Sequence, residues 1–395
     1  MKWEKRKIEE ICSLVTSGGT PLTSMPSYYW PEEIPWLKTA EVNYCRIHDT
    51  ESYISKEGLA RSSAKLIPEN SVIIAMYGQG DTAGRVAINK IPLATNQACC
   101  NLVINSNIAD YEFVYYSLST LYQQLVAMKN GGAQPNLNAK KIKAIEIPVP
   151  PLDIQHSIAS VLHQYDNLIE NNQKQIKLLE EAAQRLYQEW FVKLRFPGHE
   201  KVKVVDGVPE GWKRQSMNDI ADYLNGYAFK PSDWGEIGKP IIKIKELNEG
   251  ITQNTPRNTG ENVPEKYIIR AGDILFSWSA TLTAMIWDNE DGLLNQHLFK
   301  VTPNRGIDRE FMLQSILYTL EQFKNLTTGA TMKHIQRGKL KDVYVLVPDC
   351  ELMEKYSEMA ETIRMQILKK RHSEIMLTKA RDRLLPKLMS GEIEV

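Results

Sequence analysis

With 395 residues, the chain has room for two to four domains, each with its own core. Hydrophobic residues make up 43% and charged residues 24%, and Lys+Arg balance Asp+Glu at 48 each, so a global cationic field is excluded and any nucleic-acid site must be a local patch. Five cysteines (Cys12, Cys45, Cys99, Cys100, Cys350) without CxxC or Cys/His spacing read as reduced thiols, no apolar run approaches the roughly 18 residues of a membrane span, and the opening Met1-Lys2-Trp3-Glu4 lacks a signal core, so a cytoplasmic protein without a metal site is expected.

The first half opens on Trp3-Glu4-Lys5-Arg6 and a short apolar-periodic stretch through Ile8, Ile11 and Val15, broken at Ser17-Gly18-Gly19-Thr20-Pro21. Strand signals follow over 34–38, 71–76, 85–88 and 100–104, separated by Gly, Asn and Pro clusters. A helix is predicted over 111–128, stopped by Asn130-Gly131-Gly132, and then a strand over 142–149 leading into Pro150-Pro151. A heptad pattern begins at about Asp153, with one seam through Leu162, Ile169, Ile176, Ala183 and Trp190 and the other through Ile158, Tyr165, Asn172, Leu179 and Leu186. Phe196-Pro197-Gly198 ends it; a helix over 153–194 is about 60 Å long at about 1.5 Å per residue.

The second half repeats these signals. Gly211-Trp212-Lys213-Arg214 opens it, and Ile220 follows Trp212 at the distance that separates Ile11 from Trp3. The stretch Lys239-Pro240-Ile241-Ile242-Lys243 matches the one that starts at Pro35, Gly272-Asp273-Ile274-Leu275-Phe276 matches Asn70-Ser71-Val72-Ile73-Ile74, and Leu294-Asn295-Gln296 matches Thr95-Asn96-Gln97. Thr328-Gly329-Ala330 and Val347-Pro348 stand to the second half as Gly131-Gly132-Ala133 and Pro150-Pro151 do to the first, an offset of 197 (348 − 151). The offset drifts from 209 (212 − 3), so the two scaffolds differ in their loops, and loop-borne recognition would then differ between them. A second helix from about Asp349 carries Tyr356, Ile363, Lys370, Leu377 and Leu384, with Met353, Ala360 and Ile367 alongside, and Pro386 should kink or end it. Asn172 and Lys370, each a polar residue in an apolar seam, suit the fixing of register.

These signals predict an α+β protein: two related domains with mixed β-rich cores, separated by two long antiparallel coiled-coil helices in a pseudo-twofold internal repeat. The expected boundaries are 1–151, 152–196, 197–348 and 349–395. Duplex DNA is the usual target with matching symmetry. Catalytic patterns are missing. The glycine run Gly78-Gln79-Gly80-Asp81-Thr82-Ala83-Gly84 has neither a P-loop ending nor a GxGxxG spacing, and no Asn/Asp-Pro-Pro-Tyr/Phe tetrapeptide occurs.

Base reading draws on amides, Arg/Lys and small hydroxyls in loops, with further donors for phosphates. In the first domain the candidates are Ser17, Thr20, Lys38, Asn43, Tyr77, Gln79, Thr82, Arg85, Gln134, Asn136, Asn138, Lys140 and Lys141. In the second they are Tyr227, Lys230, Lys243, Lys245, Asn248, Ser277, Trp278, Ser279, Thr281, Lys333, His334 and Arg337. The recurring Asn96-Gln97 and Asn295-Gln296 point first to a structural role, satisfying loop backbone groups.

The chain resembles the specificity (S) subunit of type I restriction-modification systems. The residues that carry the likeness are the run from Met76 to Ile88 with Ala94-Thr95-Asn96-Gln97, the matching 272–275 and 294–296, Gln134-Pro135-Asn136-Leu137, and the junction Ile147-Pro148-Val149-Pro150-Pro151-Leu152-Asp153. The resemblance implies a non-catalytic DNA-binding subunit with two target recognition domains, each reading half of a split asymmetric site, and helices that set the unread spacer. It also implies two methyltransferase (M) subunits using S-adenosylmethionine on adenine N6, and restriction (R) subunits using ATP and Mg, with no cofactor in this chain. A coiled-coil scaffold with two protein-binding heads, or a self-sufficient methyltransferase or nuclease, are the alternatives.

Overall fold

The structure is a computed structural model that describes residues 3–78, 80–128, 137–252, 254–325, 335 and 337–395. The chain forms two compact units, Met1–Asn171 with Glu374–Val395, and Asn172–Ser373. Each unit holds one β-rich domain and a stretch of both long helices.

In the first unit one sheet runs in the order Cys12–Ser17, Cys99–Ile104, Val72–Ala75, Val86–Asn89, Cys45–Ile47, with only the last pair parallel. A second sheet runs Tyr53–Ile54, Ile34–Leu37, Leu93–Thr95, Leu66–Ile67, parallel at its centre. The strand Val72–Ala75 is buried on both faces, and its period of two explains how. Val72 and Ile74 face a core with Phe113, Ile158 and Leu162, whereas Ile73 and Ala75 face another with Leu37, Ile67 and Leu93.

The second unit uses the same plan. Its first sheet runs Ala221–Asn225, Leu298–Pro303, Ile274–Ser277, Thr283–Ile286. The other runs Arg257–Asn258, Lys239–Ile242, Gly292–Leu294, Ile268–Ile269, again parallel at its centre. Ile274 and Phe276 face a core with Phe311, Trp190 and Tyr356, and Leu275 faces one with Ile242, Ile269 and Leu294. A two-stranded ribbon closes each domain, Lys5–Lys7 with Glu146–Pro148 and Lys213–Ser216 with Tyr344–Val347. The internal repeat therefore extends to strand order and to which residues point into which core. Among the described residues the second domain has no counterpart of the parallel edge strand Cys45–Ile47.

The first long helix runs Leu152–Tyr187 and continues as a π-helical turn, Gln188–Val192, shorter than the expected 153–194. The wider turn lets the adjacent Trp190 and Phe191 both enter the core, and Leu194, at φ 58°, takes the chain out of the helix. The second long helix runs Cys350–Ser390, and Asp349 caps it by accepting from Leu352 N at 2.9 Å. It does not end at Pro386. A proline so near the C-terminus costs one backbone bond, and burial of Leu388 and Met389 in the first unit's core outweighs it.

Within each unit the helices run antiparallel. In the first, the Arg381 guanidinium donates to Asp166 Oδ1 at 2.7 Å, and Ile158 and Leu388 share a core. In the second, Asn172 Nδ2 donates to Ser373 Oγ at 3.1 Å and the Trp190 ring lies 5.9 Å from Tyr356. The first helix buries Ile158, Leu162, Ile169, Asn172, Ile176, Ala183 and Trp190.

Two local expectations need correction. The helix predicted over 111–128 is two helices, Tyr111–Ser119 and Tyr122–Ala127, because the Ser119 and Thr120 hydroxyls bond back to Tyr115 O and Ser117 O and end the first. The strand predicted over 142–149 is confined to Glu146–Pro148. Asn138 Oδ1 accepts from Lys141 N at 2.9 Å and starts a short helix, Ala139–Lys143. The predicted stops at 130–132 and 328–330 lie outside the described residues. Among the described residues no helix is long and apolar enough to cross a membrane.

Candidate nucleic-acid interface

Each domain has one point where two loops cross in backbone contact. In the first unit Gly18 N donates to Cys99 O (3.2 Å) and Gly19 N to Thr95 O (2.9 Å); in the second Gly226 N donates to Leu298 O (3.0 Å) and Tyr227 N to Leu294 O (2.8 Å). A glycine is required at both. A Cβ on Gly18 would lie 2.2 Å from Thr95 O, and one on Gly226 2.0 Å from Asn295 O. The crossed segment is the same turn in each: Cys99 N donates to Asn96 O at 3.1 Å and Leu298 N to Asn295 O at 3.0 Å, with Asn96 N on Leu37 O and Asn295 N on Ile242 O.

The crossing gathers some of the expected DNA-binding residues. In the first unit the Thr20 hydroxyl donates to Gln97 Oε1, and Ser17 lies beside it at the end of its strand. In the second, Tyr227 bridges to Asn295, the Trp278 ring packs tilted against His297 at 5.7 Å and donates its indole N–H to Asn225 Oδ1, and Ser279 Oγ lies 3.3 Å from His297 Nδ1. Ser277 and Ser279 are 0% and 2% exposed, and Ser277 donates to Ser279 O. Burial turns the Ser277 hydroxyl to the loop's own backbone and the Ser279 hydroxyl to the His297 imidazole.

Other candidates are held elsewhere. Arg85 donates to Asn43 Oδ1 (2.9 Å) and pairs with Asp81 (2.6 Å), next to Tyr44, whose phenol burial pushes up to about 12. Thr82 is part of that loop, and Tyr77 is half-buried against the core. Asn138 is spent as a helix cap and Lys141 donates to Met128 O, while Lys140 is exposed. Lys38 and Lys243 occupy matching places: each backbone N–H is accepted by a carboxylate three residues on, Glu41 or Glu246, and each ammonium lies over a tryptophan, Trp36 at 5.5 Å and Trp234 at 3.7 Å. Burial lowers the Lys243 ammonium below its usual range, with Glu246 acting against it. Lys245 pairs loosely with Glu249, and Lys230, Asn248, Thr281 and Arg337 are exposed. Gln79, Gln134, Asn136, Lys333 and His334 lie outside the described residues.

Two polar clusters dock the domains on their helices, and no periodicity announced them. In the first unit Glu112, 8% exposed, receives Lys90 Nζ at 3.2 Å and faces His163 Nδ1 at 2.9 Å; Arg46 pairs with Glu170 at 2.6 Å, and Tyr116 donates to Asp166 at 2.6 Å. In the second, Arg364 lies 3.3 Å from Glu310, Ser357 donates to Asp308 at 2.6 Å, and Arg371 pairs with Asp288 and Glu180. Among the described residues no group of three or more His, Cys, Asp or Glu side chains is placed to hold a metal ion.

Two domains of one design, differing in their loops and each fastened to long helices, define a duplicated recognition module. The sequence matches the type I restriction modification DNA specificity domain over residues 1–181 and again over 209–376, and the chain belongs to that family. It is 26% identical over 427 aligned positions to the type I restriction enzyme MjaIX specificity subunit of Methanocaldococcus jannaschii, covering 100% of this chain and 94% of that one. Against the EcoR124I/EcoR124II specificity subunit of Escherichia coli it is 27% identical over 174 residues, 43% of each chain. The crystal structure of the type I restriction-modification S subunit from M. genitalium superposes with a TM-score of 0.56 at 18% identity, over 98% of this chain and 96% of that one. That likeness establishes the fold.

Proposed function

We propose that this chain is the DNA-reading subunit of a type I complex in which each β-rich domain reads one half of a bipartite, asymmetric site. The helix pair sets the unread spacer and docks two methyltransferase subunits. Those subunits supply S-adenosylmethionine-dependent methylation of adenine N6, and ATP-driven restriction subunits join through them, so this chain binds and orients but does no covalent chemistry. The observation that supports this reading best is the duplication itself: one strand order and one glycine-pinned crossing occur twice, with different loops around each. A shared scaffold with unlike loops suits two readers of unlike sequences. Lys38, Lys140, Lys230, Asn248 and Arg337, exposed on loops or on the short helices that adjoin them, are the residues best placed for phosphates and base edges.

Methylome sequencing of a host carrying this chain and its methyltransferase partner tests the reading. Removing one heptad from 153–194 and the facing heptad from the second long helix should shorten the spacer and leave both half-sequences as they were. An unchanged spacer, or purified chain that methylates or cuts DNA alone, would refute it.

A further inference from the structure

Within the matched turns, Asn and Gln have separate duties. The asparagine is the inward one: Asn96 Oδ1 accepts from Ala98 N at 3.2 Å, and Asn295 is 5% exposed. The glutamine follows at the tip, exposed in Gln97 and half-buried in Gln296. Each is oriented by neighbours from across its crossing or beside it. Thr20 donates to Gln97 Oε1, which turns the amide nitrogen away from that contact. The Gln296 amide lies 3.5 Å from His297 Nε2, and that imidazole is in turn 3.3 Å from Ser279 Oγ. The asparagine and the turn's backbone bonds hold the loop; to these the glutamine side chains add the Thr20 contact in the first domain and the His297 contact in the second.

The surroundings of the two glutamines differ. Thr20 stands beside one and His297, itself packed against Trp278, beside the other, as expected if the two domains read different bases. A side chain that recurs unchanged at the tip of two turns with unlike surroundings suits what every half-site has in common. That is the sugar–phosphate backbone, to which an amide N–H donates without reading sequence.

We propose that Gln97 and Gln296 are DNA-positioning residues, each donating its side-chain N–H to a phosphate oxygen of the half-site its own domain engages. This deepens the reading under Proposed function and rests on it.

The test uses the full chain in complex with its methyltransferase partner. Binding to a duplex carrying the recognised site, and to one with a single half scrambled, is measured by fluorescence anisotropy over a salt series, with the methylated motif read in parallel. Gln97→Ala and Gln296→Ala should each weaken both duplexes by a similar factor, on the order of tenfold for a lost hydrogen bond to a charged group, with the motif unchanged. Gln97→Arg should restore affinity and steepen the salt dependence by about one counterion. A motif altered in one half would make the glutamine a base reader and overturn the proposal. So would unchanged affinity, or a loss fully matched by a lower melting temperature of the DNA-free complex. If the wild-type complex binds no duplex, the proposed function itself fails, an outcome distinct from wild type and variants binding alike.

Discussion

Replacing Glu310 by Gln should remove one component of the second unit's pH dependence, a loss of stability in the wild type as pH rises from about 5 to about 8.5. Glu310 is 6% exposed, and its Oε1 has no hydrogen-bond partner. Burial pushes its carboxyl up to about 7, with Arg364 and Arg309 pulling it down and Asp308 and Glu361 adding to the rise. The folded state therefore holds this proton more tightly than the unfolded chain, whose carboxyl titrates near 4.5. Stability from this group is fully present below pH 4.5 and lost as pH climbs through 7. The span corresponds to roughly 3 kcal/mol, at about 1.4 kcal/mol for each pH unit. The matched carboxylate in the first unit, Glu112, has Lys90 and His163 instead. Hydrogen exchange read by mass spectrometry gives opening free energies for segments such as 309–325 and 350–364 separately from 99–118. The quantity to follow is wild type minus Glu310→Gln, which cancels titrations common to both. It should fall by about 3 kcal/mol across the range in the second unit and stay flat in the first. A flat difference in both would mean that water from the adjoining cavity of ≈ 370 Å³ solvates the carboxylate, and the burial argument would be wrong.

Three further outcomes are expected. Asp166→Ala strips the partner from the Tyr116 hydroxyl and leaves Arg381 with Asp382 alone, so the first unit should lose on the order of 3 kcal/mol in urea titration; a loss below about 1 would show the pair to be solvent-screened. Gly226→Ala, placing a methyl 2.0 Å from Asn295 O, should cost more than about 2 kcal/mol and raise exchange at 292–298, whereas Gly211→Ala, at a positive-φ glycine with open space, should leave that turn's exchange unchanged. Asn172→Leu removes a buried polar group and its bond to Ser373; melting temperature should rise, with loss of a unique helix register seen as doubled amide resonances at 169–176.

What the sequence disclosed follows from where each signal lives. The heptads were legible because a helix buries one stripe: Leu162, Ile169, Ile176, Ala183 and Trp190 are all buried, while of the other seam Ile158 and Asn172 are buried and Tyr165, Leu179 and Leu186 half-buried. The paired strands were legible because Val72-Ile73-Ile74-Ala75 and Ile274-Leu275-Phe276 are apolar at every position, the mark of strands covered on both faces. The π turn was not legible, since it depends on two adjacent aromatics sharing a core to which Phe311 and Tyr356, more than 100 positions away, contribute. Asn138 and Ser277 looked like DNA contacts by residue type alone. One is a cap and the other is buried, and only tertiary placement separates such roles. Trp234 carried no signal until Lys243 was seen over its ring.

The polar docking clusters bear on how such a domain can be exchanged. Arg46 and Glu112 belong to the first β-rich domain, whereas their partners Glu170 and His163 belong to the helix that follows it. An exchange that stops at 151 would pair a foreign domain with His163, Asp166 and Glu170, leaving the buried Asp166 and the half-buried Glu170 without their complements, at up to roughly 3–5 kcal/mol for a broken buried pair. An exchange that carries residues 1–171 moves both sides of each pair, and what it must rebuild is the seam with the second long helix, Asp166 with Arg381 and the apolar packing of Leu388 and Met389. The longer exchange should therefore give soluble protein with one altered half-site where the shorter one aggregates or melts early. Equal melting temperatures for the two chimaeras would show that these ion pairs are dispensable and that the apolar seam through Ile158 and Leu162 alone fastens the domain to its helix.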